Sequence, residues 1–422
     1  MDVHRNLDGN RRVMVERGDH SRVYAERGGR GYVQHPYMYH GREFGHRTYY
    51  DHGRAYDRYY NRYPYRGGYL DVYAPVRYYP VGFYGWAYNP WAVPVVYAGW
   101  GWAGSPWYGY YGGYFAPYPT YLGPSYWLTD YLIAQSLQDA YAARAAADAA
   151  DAGGPPAGPP VLTQDTKNLI AAEVARQIAL ENAEAADNAA QKDIDPQRSS
   201  IAQLLSDNQA HVFVVGADLD LVGTDGVECP VSQGDVLQTP AGAPPADATT
   251  VNAVVLSSKG WRKECRISGG VTVAFADLQD MQNHMRETID AGMGDLQAKQ
   301  GKGGLPPAPV AARGLPVEAA FAVGAPPPDP GAATEIAQQS TAADQAEQEV
   351  ASNAPPAAPG AAAIPAPVAP PPAPIAVGQT SAEVNAAYGT PKVVFKSATK
   401  EIDSYPGGVK VTFKNGKVTD VE

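Results

Sequence analysis

The sequence predicts a multi-module, largely disordered chain with two small α+β modules, and three observations carry that prediction. Gly and Pro number 44 and 38 in 422 residues, well above the usual combined share of about 12 %. Of the 29 tyrosines, 27 lie before residue 142, in stretches with few aliphatic residues. Helical and strand periodicities show clearly only within 161–301 and 375–422.

Charge and cysteine usage frame the compartment. Residues 1–80 hold 14 Arg, no Lys and nine acids, while the whole chain is at −11. A basic head on an acidic body suggests an anionic partner, with a solvated tail as the competing reading. The two cysteines, Cys229 and Cys265, flank strands of one segment. They suit one disulfide in an exported protein, the alternative being two buried thiols in a cytosolic domain. Residues 1–30 hold no apolar leader core, and no Cys precedes Cys229 to serve as a lipid anchor. An exported protein needs a leader, so an apolar segment is expected upstream of Met1. The apolar window 91–115 is too rich in Gly, Pro and aromatics for a spanning helix.

Residues 1–80 are expected to be disordered, because so few aliphatic side chains cannot offset the ordering entropy. They contain Arg27-Gly28-Gly29-Arg30 and Tyr65-Arg66-Gly67-Gly68-Tyr69. Residues 81–126 carry Trp86, Trp91, Trp100, Trp102 and Trp107 at irregular spacing. They read as aromatic low complexity able to stack on sugars or bases, or on itself. With Arg27, Arg30 and Arg66, these tryptophans form the candidate interaction surface. An Ala-rich helix is expected over 127–152, and a linker over 153–160.

The middle module, 161–301, opens with a helix over 166–191, where Ile170, Val174 and Ile178 recur every fourth residue. A short helix at 201–205 follows, and then the period changes to two. Five to six short strands in about 65 residues suggest a small SH3-like β-barrel. A helix over 277–300 closes the module, its apolar stripe being Leu278, Met281, Met285, Ile289, Met293 and Leu296. Residues 302–374 read as a Pro/Ala-rich linker with one transient helix near 334–352.

In the C-terminal module, 375–422, Thr380 and Glu383 are spaced as a capping box. Gly389 then stops the helix and Pro391 bars its continuation. Asn415-Gly416 is the favoured type I′ hairpin pair. A short helix plus a three-stranded antiparallel meander is expected. The run Gly378-Gln379-Thr380, Glu383-Val384, Gly389-Thr390-Pro391, then Tyr405, Gly408 and 411–418, resembles the SmpA/OmlA (BamE-like) outer-membrane lipoprotein domain. The resemblance implies an envelope location and a link to assembly of outer-membrane β-barrels. Family members carry a lipidated N-terminal Cys, which has no counterpart ahead of this module. The rest of the chain is similar to uncharacterised exported bacterial proteins with Tyr/Trp/Gly-rich N-terminal regions.

Chemical motifs are few. Six histidines (His4, His20, His35, His40, His46 and His52) crowd the head at irregular spacings, so a solvated tail is preferred to a metal site. Cys229, Cys265, His211 and His284 lack the close spacing of a zinc site. There is no nucleophile elbow or phosphate loop in the sequence. The expectation is therefore a non-enzymatic cell-envelope interaction or scaffold protein without cofactor. Its partner would be an envelope protein, a wall polysaccharide or an anionic surface, in the periplasm or at the outer membrane. The alternative is a cytoplasmic nucleic-acid-binding or self-associating protein acting through the Arg-Gly/Tyr head.

Overall fold

The computed structural model describes residues 2–7, 11–26, 29–51, 53–65, 68–146, 161–245, 247–259, 264–353, 375–389, 391, 393–396, 401–405, 409–414 and 416–421. The chain divides into two units, Met1–Ser352 and Asn353–Glu422.

The expected disorder of 1–80 is overturned. Strands β1 (Asp2–Arg5), β2 (Arg11–Glu16), β3 (Arg22–Glu26), β4 (Gly31–Tyr39), β5 (Arg42–Asp51), β6 (Arg54–Tyr65) and β7 (Gly68–Ala74) form one antiparallel sheet in sequence order. The sheet curls into a half-barrel. A period of two runs through it, with Val13, Val23, Ala25 and Val33 buried on the outer face. Met14, Tyr24 and Tyr32 fall on the opposite, concave face. Tyrosine rings and arginine stems bury area that a count of aliphatic residues ignores. His40 and Gly41 both have positive φ, 47° and 76°, as the tight β4–β5 hairpin requires.

The aromatic segment is likewise packed rather than unstructured. After β8 (Arg77–Tyr78) come α1 (Val81–Tyr88), α2 (Pro106–Tyr110) and α3 (Pro124–Ala146). Phe83, Tyr111, Tyr114, Phe115, Tyr121 and Trp127 are buried in the largest hydrophobic cluster. Rings pack edge-on or stacked without needing a regular backbone, provided that their polar atoms find partners. Asp130 of α3 supplies several, accepting from the Tyr118 N–H at 2.6 Å and the Tyr121 hydroxyl at 2.7 Å. The buried Lys167 ammonium sits 2.6 Å from the same carboxylate.

Helices α4 (Gln164–Ala189) and α5 (Ile201–Leu204) precede β9 (Val212–Val214), β10 (Leu219–Gly223), β11 (Glu228–Val231), β12 (Val236–Gln238), β13 (Thr250–Ser257) and β14 (Gly270–Ala274). These strands form a sheet of order β11-β10-β14-β13-β12-β9. The SH3-like barrel is thus replaced by a six-stranded sheet within the larger first unit. Short strands fixed the number of elements but not their partners. Met285, Ile289, Met293 and Leu296 of α6 (Phe275–Lys299) join the aromatic cluster, while Leu278 and Met281 face the second sheet's core.

The linker reading fails over 302–353. β15 (Val317–Glu318) pairs with β8, and Phe321 stacks on Phe44 with centroids 4.7 Å apart. Helix α7 (Ala332–Asn353) lays Ala332, Ile336 and Ala343 on the valines of the outer sheet face. Small side chains, which made this stretch look like a spacer, let its backbone lie close to the sheet. Residues 153–160 and 354–374, also read as linker, lie outside the described residues.

The second unit has α8 (Ser381–Tyr388), β16 (Val393–Lys396), β17 (Glu401–Ser404), β18 (Lys410–Lys414) and β19 (Lys417–Val421). Its sheet has four strands in sequence order, not three. The overlooked β17, Glu-Ile-Asp-Ser, contains one aliphatic residue and so lacks the apolar alternation that marks a strand. Val384, Tyr405, Val411, Phe413 and Val418 form its core.

Candidate functional site

Alternation along β1–β7 directs one set of side chains into the curve of the half-barrel. The register sets Tyr24 beside Tyr32, Tyr32 beside Tyr49 and Tyr49 beside Tyr56. Neighbouring strands lie about 4.8 Å apart, so the four rings form a ladder with centroid spacings of 5.3, 5.1 and 5.2 Å. Gln34, Arg47 and Arg58 form the next row across β4–β6. Arg47 Nε donates to Gln34 Oε1 at 2.7 Å and Nη2 to Asp71 at 2.8 Å. Its guanidinium lies 4.5 Å from the Tyr32 centroid and 3.8 Å from that of Tyr60.

Helix α6 forms the facing wall. Asp277, Asp280, His284 and Glu287 follow one another at steps of three, four and three, which places them along one helix face. Asn283 anchors α6 to β7, donating to the Asp71 carbonyl at 2.6 Å and accepting from the Tyr73 N–H at 2.9 Å. Arg286 adds a bond to the Tyr73 carbonyl at 3.0 Å and holds the buried Glu184 at 2.7 Å. Glu287 accepts from the Tyr60 hydroxyl. His284 Nε2 lies 2.9 Å from Ser136 Oγ, and burial pushes its pKa down to about 4. Gly216 closes the far side, where a Cβ would stand 2.4 Å from His284 Cγ, so no larger residue fits.

Between the walls lies a cavity of about 530 Å³, lined by the tyrosine ladder, Arg12, Arg30, Arg47 and the α6 row. Asp280 is open to water there, yet enclosure by protein pushes its carboxyl up to about 6. Burial raises Asp277 and Glu287 as well. Ring faces, carboxylate acceptors and a few guanidinium donors therefore converge on one half-open volume, the composition of a ligand site.

Of the residues singled out in the sequence, Arg30 lines this cavity, its guanidinium 2.5 Å from Glu26. Arg27, Arg66 and Asn415 lie outside the described residues. The tryptophans gather elsewhere in the first unit. Trp100 is stacked between Trp102 at 4.1 Å and Trp127 at 4.7 Å, and Trp107 meets Trp102 edge-on at 5.6 Å. Trp86 and Trp91 are half-buried and 6.2 Å apart. Cys229 and Cys265 are joined, with the sulfurs 2.07 Å apart. In the second unit Thr380 and Glu383 cap α8 reciprocally, and Gly389 and Gly416 take positive φ of 82° and 74°. Pro391 is half-buried just past the helix end.

The head histidines are dispersed among separate carboxylates. His4 faces Asp220 at 3.5 Å, His20 Glu43 at 3.0 Å, His35 Asp329 at 2.8 Å, and His40 Asp193 at 3.0 Å. Among the described residues no group of His, Cys, Asp and Glu is placed to hold a metal ion, and no helix is long and apolar enough to cross a membrane.

The tyrosine ladder and the α6 acidic row escaped the sequence reading. Both carried a signal: Tyr, Arg and Met alternating with Val in 12–15, 22–25 and 32–33, and acids repeating at helical steps beside the apolar stripe. No protein family, characterised protein or solved structure matches this chain.

Proposed function

We propose that this chain is a non-enzymatic cell-envelope binding protein that holds a small polar ligand inside its curled N-terminal sheet. The observation that carries this is the cavity of about 530 Å³ between the tyrosine ladder and α6. Its size falls within the range of about 300–1,000 Å³ of ligand pockets. The Cys229–Cys265 bridge supports an oxidising compartment, because such bonds are rare in reducing ones. The SmpA/OmlA-like C-terminal segment supports a periplasmic or outer-membrane-associated location. The nucleic-acid reading has less behind it, since Arg22 and Arg47 both pair with Asp71 at 2.8 Å inside the fold.

The test is native mass spectrometry of the protein purified from its own cells without reductant. A bound species below about 500 Da, lost in Tyr32→Ala/Tyr49→Ala, supports the reading. A bare polypeptide that also binds no compound from a polar metabolite and glycan library refutes it. Thiol alkylation on the same sample reads the compartment, as two free thiols refute export.

A further inference from the structure

Resting on that binding reading, we infer that the cavity ligand is a linear aliphatic polyamine, its ammonium groups met by the α6 carboxylates and its methylenes by the tyrosine ladder.

The argument begins with charge. Seven acids line the cavity, against three arginines. Two of those arginines already hold carboxylates: Arg30 with Glu26 at 2.5 Å and Arg47 with Asp71 at 2.8 Å. The third, Arg12, acts electrostatically on Asp277. An anion at Arg30 or Arg47 would have to displace a carboxylate, which leaves Arg12 alone of the three against seven acids. Asp280 is in the reverse position. It is accessible from the cavity and makes no hydrogen bond or ion pair with any described residue. A carboxylate open to the cavity, without a bonded partner and beside the like charges of Asp277 and Glu287, is where an ammonium donor gains a charge-assisted hydrogen bond.

Shape points the same way. From Asp277 to Glu287 the acidic row covers ten residues, about 15 Å at 1.5 Å per residue. The facing ladder runs over three ring-to-ring steps of 5.3, 5.1 and 5.2 Å. Both walls are thus elongated and of matching length. An extended chain with cations separated by three or four methylenes has that length and that alternation of charge and hydrocarbon.

The rings already serve cations within the protein. Arg47 lies over Tyr32 and Tyr60, and Arg58 lies 5.1 Å from the Tyr56 centroid. These are cation–π distances. A neutral saccharide would use the ring faces but would bring Asp280 no ammonium donor.

Isothermal titration of the full-length oxidised protein with spermidine, at about 0.15 M salt, tests the inference. Chitotriose and glucuronate serve as the neutral and anionic comparison probes. Spermidine should bind at one site, and D280N should weaken it at least tenfold. D280N removes a charge that the fold encloses at a cost, so its unliganded melting temperature should equal or exceed that of the wild type. Spermidine bound equally well by both proteins overturns the inference, because a chain at −11 attracts any polycation without a site. Chitotriose or glucuronate bound in place of spermidine overturns it while the binding reading stands. If none of the three binds and the protein carries no co-purifying ligand, both fail.

Discussion

The two faces of the first four strands of the N-terminal sheet have opposite chemistry. Over β1–β4 the outer face is aliphatic, with Val13, Val23 and Val33 sealed under Ala332, Ile336 and Ala343 of α7, while across β5 and β6 the row of Val33 continues into Thr48 and Asp57. The concave face carries tyrosine, arginine and carboxylate around an open volume. A conventional half-barrel would turn its apolar face inward and its polar face to water. Here the hydrophobic contribution comes from outside, where a later segment of chain wraps the sheet. The inner face is thereby released from packing and can hold polar groups. Stability and binding are divided between two sides of the same strands, alternating residue by residue.

The largest expected effect breaks the outer face. Val33 is fully buried against α7, so Val33→Asp places an unpaired charge in an aliphatic contact. It should cost about 4 kcal/mol or more, read as a lowered midpoint in urea denaturation. The inner neighbour, Tyr32→Phe, removes a hydroxyl that faces the cavity and should cost less than about 1 kcal/mol. Equal losses at both positions would end the division of labour.

A second effect lies away from both faces. Cys229 and Cys265 are separated by 36 residues, and reduction should destabilise the first unit by about 3–4 kcal/mol through loop entropy. Denaturation with and without reductant measures it. The cavity wall contains neither cysteine, so ligand affinity measured well below the unfolding midpoint should be unchanged. A coupled loss of affinity would show that the bridge also fixes Leu219 of β10 in the cavity wall.

The same division explains what the sequence reveals. The apolar stripe of α6, Leu278 to Leu296, is legible because a helix with one buried face repeats every three or four residues. The capping box at Thr380 and Glu383 is legible because its chemistry is local. The N-terminal sheet is not, when order is sought in aliphatic content. Its inner positions are occupied by Tyr and Arg, which look like tail composition until their pairing across strands is known. Residues 317–353 resemble a spacer for a related reason. Phe321 and Ile336 are isolated among Pro and Ala, and each acquires its role from a sheet nearly 300 residues earlier. Of the cavity lining, Arg30, His4, Met281 and His284 stand out in the sequence, each for a different purpose. The ladder depends on register among four strands, which no single stretch of sequence encodes.

The smallest effect on stability tests the inner face most directly. Asp280 stands opposite Arg47 and Asp71 of the sheet and alongside Asp277 and Glu287 of its own helix. Enclosure raises its carboxyl from 3.8 to about 6, with Arg47 opposing. Because the folded value lies above the unfolded one, the folded state binds more protons between pH 4 and 6. Its contribution to stability therefore falls as pH rises through that window. The full shift corresponds to about 3 kcal/mol, but the side chain is open to water, and screening reduces this to about 1 kcal/mol. D280N should thus gain about 1 kcal/mol over the wild type at pH 7 and nothing at pH 4, in parallel denaturation series. A polar inner face that costs stability while the outer face supplies it is what a site retained for a ligand requires. If D280N were destabilising at pH 7, Asp280 would be a structural partner within the wall.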